Sequence, residues 1–282
     1  MSIHGIRRRP DFFAEKLIVI TGGTSGIGLA LAHELSRLRA TVIIVADKAE
    51  SVSRAVAELR AGDSRFYGYV CDIGRADQVT ETCSRIIDEH GVPDILINNA
   101  GYAIYRTFEQ EESDQVERLM SVNFGGAVRI TKPFLNGMVR RRSGHIVNMA
   151  SIAGVLPLTP CALYGAAKHG MVGWSRCIAP ELARFGIDVT VVCPGRVETS
   201  FFDHETFRRR SHRKESEATV PLASVVDATL DAILRRQRMR YVPRRYGVLA
   251  WAYNALGPLA RVAFEKLLRS RVEDLYGGSE GR

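Results

Sequence analysis

Along the chain, short unbroken apolar runs alternate with longer stretches whose apolar residues recur every three or four positions. The two periods predict different elements. Residues 16–20, 41–45, 94–97, 145–149 and 188–192, rich in Ile, Val and Leu, and the aromatic 67–70 are too short for helices. They read as strands covered on both faces, as in a parallel sheet. Residues 29–35, 51–59, 76–89, 115–142 and 163–185 between them carry helical periodicity, and 225–236 follows the last run. Gly125, Gly126 and Pro133 fall inside the longest helical stretch, so a bend is expected there. Strand–helix alternation with short turns predicts an α/β fold: a doubly wound, Rossmann-like parallel sheet in a single domain. That domain is expected over residues 14–240, with an apolar and basic C-terminal helical extension over 241–282.

Ligands of such sheets bind beyond the carboxyl ends of the strands. The first strand runs into Thr21-Gly22-Gly23-Thr24-Ser25-Gly26-Ile27-Gly28. A glycine-rich turn opening a helix lets a diphosphate reach backbone N–H groups and the positive helix end. A plain strand-to-helix turn is the alternative. Asp47 closes the second strand 19 positions after Gly28, where a carboxylate accepts hydrogen bonds from an adenosine ribose and repels a 2′-phosphate. NAD is therefore favoured over NADP, although Lys48 softens the rejection; a solvated loop pair is the other reading. Asp72 and Ile73 end the third strand, and Asn98-Asn99-Ala100-Gly101 end the fourth. Small residues there let the backbone lie beside a flat base or ribose, while Asn and Gly also serve as a simple capping turn. Asn123, inside the long helix, reads by itself as a satisfied buried polar residue.

Tyr164 and Lys168 are four residues apart on a predicted helix and so share a face. A phenol releases its proton near pH ~10, and an ammonium one turn away is expected to lower that value, making a proton-transfer pair. Ser151 lies thirteen positions before Tyr164, just past the fifth strand. Tyr-x-x-x-Lys alone is common on surface helices. Its weight comes from the company it keeps: Thr21-Gly22-x-x-x-Gly26-x-Gly28, Asp72, Asn98-Asn99-Ala100-Gly101, Asn123, Ser151, Tyr164-x-x-x-Lys168, and Pro194-Gly195 with Thr199.

In order and spacing over residues 14–200 this set resembles the short-chain dehydrogenase/reductase family. The resemblance implies an NAD(P)-dependent oxidoreductase that moves a hydride between nicotinamide and a carbonyl or secondary alcohol. Tyr164 would be the general acid or base, Ser151 would hydrogen-bond the substrate oxygen, and Lys168 would hold the nicotinamide ribose. Asn123 would hold a water in a proton relay. Gly22, Ser25, Gly26, Ile27 and Gly28 would line the diphosphate, Asp47 the ribose, and Asp72 and Ile73 the adenine. Asn99, Ala100 and Gly101 would lie along the adenosine, and Pro194, Gly195, Val197 and Thr199 would fix the carboxamide. A dinucleotide-binding sensor without turnover is the alternative, but it has no need of a proton relay. The resemblance also implies a homo-oligomer formed through residues 115–142 and 163–185.

Composition narrows the rest. Five cysteines with no C-x-x-C spacing argue against a disulfide framework and a zinc site, so no metal is expected. No apolar signal core precedes the first strand, and a cytoplasmic protein is expected. Of the net charge of +8, much lies in residues 201–245, which hold 11 Lys/Arg against six Asp/Glu. Residues 198–221 are polar, with Phe201, Phe202, Phe207 and Arg208-Arg209-Arg210. The resemblance makes them a substrate lid; a solvated basic loop is the alternative. With Leu156-Pro157-Leu158 near Ser151, the lid suggests a lipophilic substrate of steroid, retinoid or acyl type. In the extension, Gly247, Asn254, Gly257, Pro258 and Arg261 oppose a membrane-spanning helix. Aromatic and leucine residues beside Arg240, Arg244 and Arg245 suit peripheral membrane contact; packing on the domain or on another subunit is the alternative. No nucleic-acid-binding fold accompanies the arginines, so no nucleic-acid partner is expected.

Overall fold

The computed structural model describes residues 10–60, 65–199 and 219–257, with 262, 264–266, 268 and 269. The lid residues Phe201, Phe202, Phe207 and Arg208–Arg210 lie outside the described residues, as does most of the chain beyond 257.

Seven strands form one sheet: β1 (Leu17–Thr21), β2 (Thr41–Ala46), β3 (Phe66–Val70), β4 (Ile95–Asn98), β5 (Gly144–Met149), β6 (Ile187–Pro194) and β7 (Met239–Val242). Their order is β3-β2-β1-β4-β5-β6-β7, and every neighbouring pair is parallel. The chain steps outward from β1 to β3, then returns to the middle and steps outward the other way from β4. The reversal between β1 and β4 opens a crevice at their carboxyl ends. The helices are α1 (Gly26–Arg37), α2 (Ala49–Arg60), α3 (Ala76–His90), α4 (Ser113–Met120), α5 (Ala127–Arg141), α6 (Ala162–Ala183), α7 (Leu222–Leu234) and α8 (Arg245–Ala255).

Because alternate strand residues face opposite ways, each strand feeds two cores. Ile18 and Ile20 of β1 pack with Leu31 and Leu35 of α1 and with Val225, Leu230 and Ile233 of α7. Val19, between them, packs with Ile86 of α3 and with Ile130, Phe134 and Met138 of α5. All of these are fully buried or nearly so, each worth about 1.5–3 kcal/mol relative to exposure. Two-sided burial explains why the strands are apolar without alternation.

The long helix expected over 115–142 is three pieces. A π-helical turn, Ser121–Gly126, joins α4 to α5, while Pro133 sits inside α5. The discontinuity thus falls at the glycine pair and not at the proline. Any side chain on Gly126 would meet Ile73 at 2.6 Å. Arg129 donates to the Ser121 carbonyl at 2.9 Å, and Ser121 Oγ donates to the Gly74 carbonyl at 3.0 Å. Wide turns of this kind concentrate at functional sites.

β7 carries the sheet past residue 240, with Arg240 beside Val192 and Val242 beside Pro194. The arginine cluster around it is partly spent on structure. Asp231 pairs with Arg235 at 2.6 Å and Arg240 at 3.3 Å, and Arg236 pairs with Asp188 at 3.0 Å.

Candidate active site

The glycine turn is fixed from below. Gly22 adopts φ +65°, open to glycine, and a Cβ there would lie 2.8 Å from Ala100 Cα. Asn99 donates its amide to the carbonyls of Thr21 (3.1 Å) and Gly22 (3.0 Å), and Thr21 Oγ accepts the N–H groups of Asn99 and Ala100. The Asn99 side chain therefore latches the loop from the wall of the cavity described below. Ser25 precedes α1 in an extended conformation but makes no side-chain capping bond, so the first N–H groups of α1 are left for another acceptor. An uncapped helix end among small residues suits a diphosphate.

The catalytic candidates come from β5 and α6. Ser151, extended at φ −165°, leaves β5 and accepts the Ala153 N–H at 3.1 Å, capping a 3-10 turn over Ile152–Gly154. That turn lies directly on α6: a side chain on Gly154 would meet the Lys168 carbonyl at 2.6 Å. The close approach brings Ser151 to the helix face that carries Tyr164, and the two side chains are hydrogen-bonded. A hydroxyl that already accepts from Ala153 still has its own proton for the phenol oxygen.

Lys168, 4% exposed, donates from Nζ to the Met149 carbonyl at 2.8 Å and lies 5.6 Å from the centre of the Tyr164 ring. Burial lowers its pKa to about 8. Tyr164 moves the other way. Burial raises the phenol well above its ordinary range, and the Ser151 hydrogen bond recovers only part of this. The expected lowering by the neighbouring ammonium is thus overturned for this arrangement: desolvation outweighs a cation that is committed to Met149. Behind them, burial pushes the Cys193 thiol up to about 12, keeping it neutral.

Asn123 sits fully buried in the π turn. Its Oδ1 accepts the Tyr102 N–H at 3.0 Å and its Nδ2 donates to the Tyr102 carbonyl at 2.6 Å. Its amide fixes the loop after Gly101.

One cavity of about 700 Å³ gathers Gly22, Ser25, Gly26 and Ile27 with Asp47, Asp72 and Ile73. The same cavity is lined by Asn99, Ala100, Gly101, Ser151, Tyr164 and Lys168, and by Pro194, Gly195, Val197 and Thr199. Gly28 is buried inside the loop against the Gly22 carbonyl, and Asn123 lies behind the wall. Asp72 is engaged: it accepts the Gly74 N–H at 2.9 Å and pairs with Arg118 at 2.8 Å. Of Leu156-Pro157-Leu158 only Leu158 reaches the cavity, since Leu156 is core and Pro157 faces solvent. The sequence reading missed Arg54, Tyr102, Tyr105, Arg118 and Cys161 in the lining. Only Cys161, three residues before Tyr164, carried a sequence signal.

The family model for short chain dehydrogenases matches residues 16–209. The oxidoreductase YDL114W of Saccharomyces cerevisiae is 38% identical over 191 residues, 65% of this chain and 60% of that protein. The oxidoreductase EphD of Mycobacterium tuberculosis is 34% identical over 196 residues, 69% of this chain and 33% of EphD. The matched part of the chain therefore spans between one third and three fifths of these relatives. Among solved structures, an actinorhodin polyketide ketoreductase variant with NADPH is 29% identical at a TM-score of 0.73, over 81% of this chain and 95% of that one. With the family model running from β1 past the end of β6, the chain belongs to the short-chain dehydrogenase/reductase family of oxidoreductases.

Proposed function

We propose that the chain reduces a lipophilic carbonyl compound to a secondary alcohol, with Tyr164 as the proton donor. The observation that carries this reading is a single cavity holding both the uncapped N-terminus of α1 and the Ser151–Tyr164–Lys168 group. A nicotinamide dinucleotide, when bound, supplies the hydride. The chain's own residues do the rest. Ser151 and Tyr164 present two hydroxyls to the carbonyl oxygen, where negative charge develops. Tyr164 would give up its proton to that oxygen, Lys168 would hold the ribose hydroxyls beside it, and Asn123 would hold a water that refills the proton.

Gly22, Ser25, Gly26 and Ile27 would hold the diphosphate, and Asp72 and Ile73 the adenine, with Arg118 bracing Asp72. Pro194, Gly195, Val197 and Thr199 would hold the carboxamide. Asp47 favours NAD(H), while Lys48 and Arg54 line the same cavity and could meet a 2′-phosphate. Leu158, Tyr102 and Tyr105 supply apolar wall for the substrate. The polyketide ketoreductase relative supports an acyl-type ketone as the first class to try among steroid, retinoid and acyl compounds. A homo-oligomer through α4–α5 and α6 completes the reading and is measured by light scattering.

The test is turnover on a panel of those ketones with NADH and NADPH. Tyr164→Phe should lower kcat by about 10²- to 10⁴-fold while the cofactor still binds. Full activity in Tyr164→Phe would end the mechanism. A higher kcat/KM with NADPH would overturn the role given to Asp47.

A further inference from the structure

We propose that the outer face of α8 docks on the surface of an anionic lipid bilayer. The helix is two-faced. Tyr246 and Ala250 face the domain, with Tyr246 against Gly195 and Ala250 3% exposed, while Tyr253 meets Phe264 of the extension at 5.3 Å between tilted rings. The opposite face is apolar and open. Val248 and Trp251, three residues apart, are 68% and 69% exposed, and Leu256, just past the helix, is 59% exposed. The one polar residue between them, Asn254, turns its amide back to the Ala250 carbonyl at 2.7 Å. Exposure of this kind is unusual for a helix with no partner.

Charge identifies the occupant. Residues 232–264 contain seven arginines and no Asp or Glu. Arg235, Arg236 and Arg240 are spent on Asp231 and Asp188. Arg244 and Arg245 are exposed at the start of the helix, with no carboxylate in ion-pair range among the described residues. A tryptophan-bearing apolar strip that begins at the exposed Arg244 and Arg245 matches a surface that is apolar within and negatively charged at its boundary, which is an anionic bilayer. A two-fold contact between copies of α8 would bring Arg244 and Arg245 of both copies together with no acid within the helix to answer them. The described helices include none long and apolar enough to cross a membrane, so the contact is one of lying on the surface. The inference holds whichever carbonyl compound the site takes.

The test uses the full chain with sedimented vesicles of phosphatidylcholine alone and of phosphatidylcholine mixed with phosphatidylglycerol. Binding is expected to the mixed vesicles and to weaken with salt. Arg244→Gln and Arg245→Gln should each weaken it about fivefold. Val248→Ser with Trp251→Ser should weaken it at least about tenfold. These positions are exposed, so melting temperature and cofactor affinity should not move. No binding to either vesicle overturns the proposal, as does binding that neither set of substitutions alters. Should Val248→Ser with Trp251→Ser instead split an oligomer without vesicle binding, the face is a contact between copies and the proposal fails.

Discussion

Lys168→Met separates what the active site needs from what the fold needs. The lysine is 4% exposed and, among the described residues, has one hydrogen bond, to the Met149 carbonyl, and no carboxylate partner. Its pKa falls from 10.5 to about 8 because burial penalises the ammonium. That difference of roughly 2.5 units corresponds to about 3 kcal/mol by which the fold disfavours the charged form at neutral pH. Methionine has similar reach and no charge, so the substitution removes this penalty but leaves the Met149 carbonyl without its donor, a cost of about 1–3 kcal/mol. The net effect on stability at pH 7 should lie between zero and a gain of about 2 kcal/mol. Activity should meanwhile fall at least about 100-fold, by the proton-transfer contribution. A second readout guards the reasoning. Between pH 8 and 10.5 the unfolded chain holds the lysine proton and the folded chain does not, so wild-type stability rises with pH over that window. Subtracting the variant's urea-unfolding profile from the wild-type profile should isolate this rise. A variant destabilised by more than about 2 kcal/mol, with no difference in slope between pH 8 and 10.5, would refute the account of Lys168 as a charge held against the preference of its surroundings.

Three further outcomes follow from contacts at and below the site. In Gly195→Ala the new Cβ would lie 3.2 Å from both Cζ and the hydroxyl oxygen of Tyr246; overpacking of about 1–3 kcal/mol should lower Tm and raise the cofactor KM. Tyr246→Leu in that background should restore both, and failure to do so would mean α8 does not brace this loop. His145 is buried between strands, its Nε2 2.8 Å from Thr190 Oγ, whose own proton goes to the Gln237 carbonyl, so the ring donates and is neutral. Burial lowers its pKa from 6.5 to about 4. The unfolded chain therefore takes up a proton the folded chain refuses, and stability should drop by about 3 kcal/mol as pH falls from 6.5 to 4. His145→Gln should flatten that part of the urea-midpoint profile, and an unchanged profile would contradict the assignment. Asn99→Ala strips a donor from the Thr21 and Gly22 carbonyls, with an expected loss of about 1–3 kcal/mol in thermal unfolding and weaker cofactor binding; an unaltered melt would count against the latch.

The sheet was legible because parallel strands buried on both faces leave continuous apolar runs: the expected 41–45 and 145–149 differ from β2 and β5 by one residue at one end. β7 left no such run. Its Met239-Arg240-Tyr241-Val242 is an edge strand whose arginine is neutralised by Asp231, nine residues back on α7, a pairing only the tertiary structure makes. The π turn was hidden for a related reason. Its apolar spacing continues that of α4 and α5, and what distinguishes it is the pressure of Ile73 on Gly126, from a residue some fifty positions earlier. The candidate site was legible as a set of positions, because each falls at a strand end or on α6. Its energetics were not. Four-residue spacing tells that Tyr164 and Lys168 are neighbours, but not that the lysine is spent on Met149 or that both are desolvated.

That difference bears on the direction of the reaction. A tyrosine working as a base on an alcohol must first lose its proton, at about 1.4 kcal/mol for each unit by which its pKa exceeds the working pH. The pocket raises that pKa, through burial that the Ser151 bond only partly offsets. The same burial leaves the phenol an acid at neutral pH, already oriented by Ser151, so donation to a developing alkoxide needs no prior ionisation. Lys168, with a pKa near 8, still carries its charge at neutral pH and keeps it beside the place where that alkoxide's charge grows. Donation leaves the same phenolate that burial disfavours, so in either direction the Ser151 bond must help to carry it, while desolvation strengthens every hydrogen bond made to a substrate oxygen that becomes anionic there. The resting phenol is therefore in the protonation state that the carbonyl reduction proposed above requires, whereas an alcohol oxidation would require it to ionise first.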